Sequence, residues 1–234
     1  HDGFQTVENI IDFASKHDQK AVALTDHGTM SGCGEGFRFA KKYGIKFIAG
    51  CEHYLVPDVT IKDKSSQHIL LLAMNKTGYR NLNMITTIAH SEENYYFKPR
   101  VDLDLLRKYN EGIICTTACI AGCQNKIPEL KNIVGDRLYI EIHTNQMEKQ
   151  KKANLEWLEL AKKYNVEYYA AVDAHYTNKE DGKYQRKWTG YLYEDDENIQ
   201  YNHETKQWYN NNGKEVRPYE VSDDYYLHTE EEVR

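Results

Sequence analysis

His27, Glu52, Cys119, Asp173 and His175 are the side chains best suited to act together, because each stands at or just past the end of a short apolar run. Imidazole, carboxylate and thiolate donors in one set suit borderline divalent cations such as Zn²⁺, Mn²⁺ or Fe²⁺, whereas an all-oxygen set points to Mg²⁺ or Ca²⁺. More than four donors imply more than one ion, and clustered cations can clamp a phosphate, activate a water and stabilise a leaving oxygen. Asp173 and His175, at i and i+2, share a face if the chain stays extended. Asp26 adjoins His27, so in an extended segment only one of them points inward. The other is a partner that orients an imidazole, or a loop residue.

Two further residues have competing readings. His68 begins an apolar run instead of ending one, which on pattern alone makes it a satisfied strand-start histidine. Arg100, in Lys98-Pro99-Arg100-Val101-Asp102, is either a loop arginine capping the next helix or a bidentate clamp for phosphate. Cys115-x₃-Cys119-x₃-Cys123 does not have the usual Cys-x₂-Cys zinc spacing, and Cys115 sits inside an apolar run, where core packing is expected.

The elements that must position these groups follow from periodicity. Val7, Ile10, Ile11 and Ala14 recur at helical spacing and predict a helix over residues 6–17. The run Ala21-Val22-Ala23-Leu24 predicts a buried strand, and residues 35–43 a helix stopped by Gly44. Strands follow at residues 46–50, 68–73, 112–116, 137–142 and 168–172, with helices at 77–90 and 147–164; in the last, Leu155 and Leu158 are placed on one face. Six strands with helical or mixed connections predict a parallel sheet or barrel, whose strand C-termini form the functional rim. Beyond Lys179 aliphatic residues thin out. Residues 180–234 read as an extension, with a hairpin about Asn210-Asn211-Asn212-Gly213 and a strand-like Tyr225-Tyr226-Leu227.

Composition bounds the alternatives. The 234 residues carry 30 Lys+Arg and 36 Asp+Glu, a net charge of −6, with 40% hydrophobic residues. That suits one large α/β domain or two small ones. No stretch approaches the roughly 18 apolar residues of a membrane span. The odd count of 5 cysteines is not the density of a disulfide-stapled module, and predicts a reducing, cytoplasmic setting. The chain shows no signal peptide, and its start on a turn-like Asp-Gly without Met predicts sequence upstream.

Several segments together resemble a known family. Ala23-Leu24-Thr25-Asp26-His27-Gly28, Gly50-Cys51-Glu52, His68-Ile69-Leu70-Leu71-Leu72-Ala73, Gly78-Tyr79-Arg80-Asn81-Leu82, Tyr96-Phe97-Lys98-Pro99-Arg100-Val101-Asp102, Ala118-Cys119-Ile120-Ala121-Gly122 and Asp173-Ala174-His175-Tyr176 are similar to the PHP (polymerase and histidinol phosphatase) domain. The likeness is to the branch that opens bacterial DNA polymerase III α subunits, over roughly residues 2–178.

The resemblance implies a distorted (β/α)₇ barrel over residues 1–179 with two to three Zn, Mn or Fe ions at its rim. Carried over by position, Asp2, His27, Glu52, His68, Cys119, Asp173 and His175 match metal-ligand positions, with Asp26 beside them. The family's first strand and its His-x-His have no counterpart here, so this chain by itself is expected to hydrolyse weakly or not at all. The implied function is metal-dependent 3′-to-5′ exonuclease action on a DNA primer end, beside other polymerase domains and a proofreading subunit. The alternatives are a non-catalytic docking module and, less favoured by the polymerase-type motifs, a small-molecule phosphatase such as histidinol phosphatase.

Overall fold

The computed structural model describes residues 3–185, 199–202, 204–205, 207–210, 215–216 and 224–233. It opens on α1 (Val7–Lys16), where the Thr6 side chain accepts a hydrogen bond from the Asn9 amide and the apolar face buries Ile10, Ile11 and Ala14. Then come β1 (Ala21–Leu24), α2 (Cys33–Tyr43) and β2 (Lys46–Leu55); Gly44 ends α2 in the left-handed region, at φ 69°. The chain continues through β3 (Gln67–Ala73), α3 (Lys76–Ala89), β4 (Arg100–Val101), α4 (Leu103–Tyr109) and β5 (Ile113–Thr116). It proceeds through α5 (Ile127–Val134), β6 (Leu138–His143), α6 (Glu148–Tyr164) and β7 (Glu167–Ala171).

These strands form a 7-stranded sheet in the order β1-β2-β3-β5-β6-β7, with the short β4 paired to β2. The expectation of parallel strands holds for β1–β2, β5–β6 and β6–β7. It fails at β3, which is antiparallel to both β2 and β5. The cause is the connection. A parallel neighbour needs a long crossover, usually a helix, whereas residues 56–66 between β2 and β3 contain no helix. The chain turns at the rim and comes straight back.

Side-chain alternation splits the curled sheet into two faces. Ile69 and Leu71 of β3, Ile113 and Cys115 of β5 and Ile140 of β6 point outward into a core shared with Leu82, Ile85, Leu130 and Trp157 of the helices. Cys115 is therefore a core residue, with no exposed surface. On α6 the buried positions are Gln150, Trp157 and Ala161; Leu155 is 68% exposed, contrary to the face expected for it, because it stands two residues, about 200° around the helix, from Trp157.

A separate three-stranded sheet joins β8 (Ile199–Asn202), β9 (Gln207–Asn210) and β10 (Glu215–Val216) in antiparallel fashion, and β9–β10 is the expected hairpin. Its Asn-Asn-Asn-Gly turn lies outside the described residues. Residues 224–228 return to segments flanking the edge strands β7 and β1: Tyr226 bridges Tyr176, and Gln19 donates to the His228 carbonyl at 3.0 Å. A short α7 (Glu230–Val233) follows.

Candidate metal centre

The inner face of the sheet lines a cavity of about 600 Å³ that opens at the rim. Strand pairing brings the donors to its mouth. The β1–β2 register pairs Leu24 with Ala49, and the same offset continues past β1 as an isolated bridge between His27 and Glu52. The Glu52 amide donates to the Asp26 carbonyl at 3.1 Å, and the Gly28 amide to the Glu52 carbonyl at 2.8 Å. On the other side of β2, Glu52 faces Leu70 and Tyr54 faces His68, so these four share the inner face.

The outcome is a compact donor set. Ligand atoms of His27, Glu52 and His68 all lie within 4.8 Å of one another. His68 Nδ1 is 2.7 Å from Glu52 Oε1, and His27 Nδ1 is 3.7 Å from Glu52 Oε2. Cys119 Sγ lies 3.3 Å from His68 Nδ1. Its loop docks onto the start of β3, where the His68 amide donates to the Ala121 carbonyl at 2.9 Å. Burial holds the Cys119 thiol well above its ordinary pKa, with the Glu52 and Asp173 charges adding to the effect.

Two imidazoles and a carboxylate with an adjacent thiol fit a borderline divalent cation. Glu52 Oε1 is buried and makes no aligned hydrogen bond, as expected of a carboxylate oxygen arranged for an ion.

The remaining expected residues are placed differently. Asp173 and His175 line the same cavity but are not in the compact set. The chain does not stay extended after β7: Asp173 takes φ 57°, and His175 Nδ1 lies 2.6 Å from the Asp173 backbone oxygen and 3.9 Å from its carboxylate. Their spacing therefore does not align them as strand neighbours. Asp26 lines the cavity, and burial raises its carboxyl above the ordinary range. Asp2 lies outside the described residues.

Arg100 does not line the cavity; it is 1% exposed and donates from Nε to the Asn94 carbonyl and from its terminal nitrogens to Ile61 and Val59. The guanidinium ties two loops together, and the helix-capping role belongs to Asp102, whose side chain accepts from the Leu105 amide. No phosphate contact is assigned to it.

The profile of the PHP domain matches residues 1–170. The chain belongs to the PHP domain family. This PHP domain is 35% identical over 204 residues to DNA polymerase III subunit alpha of Aquifex aeolicus, covering 77% of the chain and 18% of that relative. Against the same subunit of Borreliella burgdorferi the figures are 36% over 199 residues, 77% and 17%. The chain thus spans less than a fifth of the length of the curated relatives it matches. A solved amidohydrolase from Chromobacterium violaceum, with bound sulfate and no metal, matches at a TM-score of 0.50 and 15% identity, covering 74% of this chain and 83% of that one. At that identity the likeness shows the fold alone.

Sequence reasoning missed three inward-facing residues of the PHP domain. Glu141 and His143 lie on the cavity wall, with His143 Nε2 3.2 Å from Glu141 Oε2 and the Thr116 hydroxyl donating to Glu141. Burial alone lowers the His143 pKa, but its hydrogen bond to Glu141 and the surrounding carboxylates outweigh that and raise it. The signal was the alternation Ile140-Glu141-Ile142-His143, which puts both polar groups on one face. The third is Tyr54, stacked on His27 at 5.8 Å between ring centres and edge-on to His68 at 5.4 Å. Glu52-x-Tyr54 carried the same signal.

Among the described residues no helix is long and apolar enough to cross a membrane.

Proposed function

We propose that this PHP domain hydrolyses phosphodiesters with the help of two to three divalent cations, acting on the 3′ end of DNA as part of a replicative polymerase subunit. The observation that carries the reading is the convergence of His27, Glu52 and His68, with Cys119 alongside, at the mouth of one cavity. The replicative context is supported by the relatives, which are DNA polymerase III α subunits.

Cations bound there supply charge neutralisation for a phosphodiester and a lowered pKa for water. The chain's own contribution is placement. His27, Glu52 and His68 would hold one ion, with Cys119 beside His68. Asp173 and His175, which line the same cavity past β7, would contribute to another, and Tyr225 packs on His175 at 5.2 Å between ring centres. Thr116 holds Glu141 in one rotamer, and the leucines of β3 keep the inner wall apolar, which strengthens every charge interaction at the mouth.

The test uses the full-length protein and a 3′-labelled primer with added Mn²⁺ or Zn²⁺. Loss of 3′ nucleotides that disappears in Glu52→Gln supports the reading. No loss under any cation, or equal loss in the variant, overturns it.

A further inference from the structure

Beside the mouth, outside the donor set, two loops present a mixed lysine and aromatic surface that none of the proposed chemistry uses. Residues 57–66 contribute Lys62 and Lys64, and residues 91–99 contribute Tyr95, Phe97 and Lys98. Phe97 is 62% exposed and Tyr95 46% exposed. An exposed aromatic ring costs hydrophobic free energy, and Phe97 adds backbone strain, because its φ of 59° lies in the left-handed region that a bulky residue rarely adopts.

The surface is built and held. Phe97 packs edge-on against Tyr96 at 4.8 Å between ring centres, and the Arg100 guanidinium lies 5.5 Å over Tyr96 from the buried side. Arg100 also ties residues 59 and 61 of one loop to residue 94 of the other, so both loops move as one body. Lys64 Nζ sits 3.9 Å over the Phe97 ring and Lys62 Nζ 5.8 Å over Tyr96. Of the neighbouring carboxylates, Asp58 and Asp63 are engaged within their own loop by Thr60 and Ser65, while Glu92 and Glu93 lie on the second loop, where the Lys62 ammonium donates to the Glu93 backbone carbonyl at 3.3 Å.

It also leads to the centre. Lys98 Nζ lies 4.5 Å over the Tyr54 ring, and that ring in turn contacts His27 and His68.

Exposed rings on a rigid frame, interleaved with ammonium groups, are what unpaired nucleotides require: the rings stack bases without regard to sequence, and the lysines follow the phosphates. Duplex DNA offers no free base faces to such a surface.

We propose that Lys62, Lys64, Tyr95, Phe97 and Lys98 form a track for single-stranded DNA that leads its 3′-terminal phosphodiester to the His27–Glu52–His68 cluster. The delivery step rests on the proposed phosphoesterase function; strand binding does not.

The test is photo-crosslinking of the full-length protein, in EDTA, to a short oligothymidylate carrying 5-iododeoxyuridine next to its 3′ end. Adducts are expected on the peptide spanning residues 91–99, with yield falling roughly tenfold in the Tyr95→Ala/Phe97→Ala double variant, the size of a lost stacking contact. An unchanged melting temperature shows that the variant is folded. With Mn²⁺ present, Phe97→Ala is expected to raise KM for oligonucleotide trimming roughly tenfold while leaving hydrolysis of bis(p-nitrophenyl) phosphate unchanged. Adducts found only elsewhere, or a yield indifferent to the double variant, overturn the track even if the small diester is hydrolysed. Adducts on residues 91–99 without hydrolysis of either substrate support the track and count against the phosphoesterase reading instead.

Discussion

The two sides of the cavity mouth are assembled in different ways. On the side of β1, β2 and β3, His27 and Glu52 face each other across a backbone bridge, and His68 lies one pleat along the next strand. Glu52 and His68 there sit within paired strands, and His27, three residues past β1, is held by its bridge to Glu52. On the side of β6 and β7, Asp173 and His175 lie beyond the last strand residue, on a left-handed turn supported by the Tyr225 carbonyl, which accepts from the His175 amide at 2.7 Å.

The strands differ as well. Ile69 and Leu71 of β3 are each 1% exposed, whereas Tyr168 of β7 is 57% exposed. Among the described residues β7 pairs only with β6, and β1 only with β2. Backbone pairing fixes relative positions to within ångströms and has converged the first donor set. Where it stops, spacing in sequence no longer sets spacing in space.

The contrast can be broken most severely in the core. Leu71→Ala is expected to cost roughly 2–5 kcal/mol, and Tyr168→Ala less than about 0.5 kcal/mol, by denaturant unfolding. Comparable losses would show that β7 is as firmly packed as β3.

Cation affinity probes the site itself. Glu52→Ala is expected to weaken Mn²⁺ binding roughly a hundredfold, about 2.7 kcal/mol, and Asp173→Asn only about tenfold, by calorimetry. Equal losses would mean that the two sides hold their ions equally well.

A smaller effect is expected at Arg100. Arg100→Met leaves the Asn94, Ile61 and Val59 carbonyls without their donor and should cost about 2 kcal/mol, with Mn²⁺ affinity unchanged. A large loss of cation binding would tie the loops to the centre more closely than their contacts indicate.

The smallest effect concerns pH. His143 has a folded pKa raised above the ordinary imidazole value of 6.5, so the stability from its charged pairing with Glu141 is complete below that value and is lost as pH rises through the folded pKa. In metal-stripped protein, melting temperature should fall across that window by an amount equivalent to about 1 kcal/mol or less, and His143→Gln should flatten the profile. A wild-type profile that is already flat would remove this pair from the account of the second side.

Much of the fold was legible because its signals are local. The apolar runs marked the strands of the large sheet apart from the two-residue β4, Gly44 marked a helix end, and alternation marked which residues of a strand share a face. The site was legible in part. His27 and Glu52 were found as residues ending apolar runs, and the structure joins them through an extension of the β1–β2 register. Glu141, His143 and Tyr54 were overlooked although the same alternation placed them inward. Arg100 was misjudged because an arginine saturated by three backbone carbonyls and one offered to a phosphate look identical in one dimension.

His68 separates what each level determined. Its residue type and its position at the start of an apolar run are facts of the sequence, and on pattern alone that position put it at the wrong end of the sheet. The direction of β3 is a tertiary fact. With no helix between β2 and β3 the chain reverses at the rim, so the start of β3 lies beside the ends of its neighbours. The local sequence determined the strands, the helices and the chemical character of the donors, because those depend on neighbours along the chain. Only the folded sheet decided which donors meet, because that depends on strand direction and register, which are set by hydrogen bonds between segments far apart in sequence.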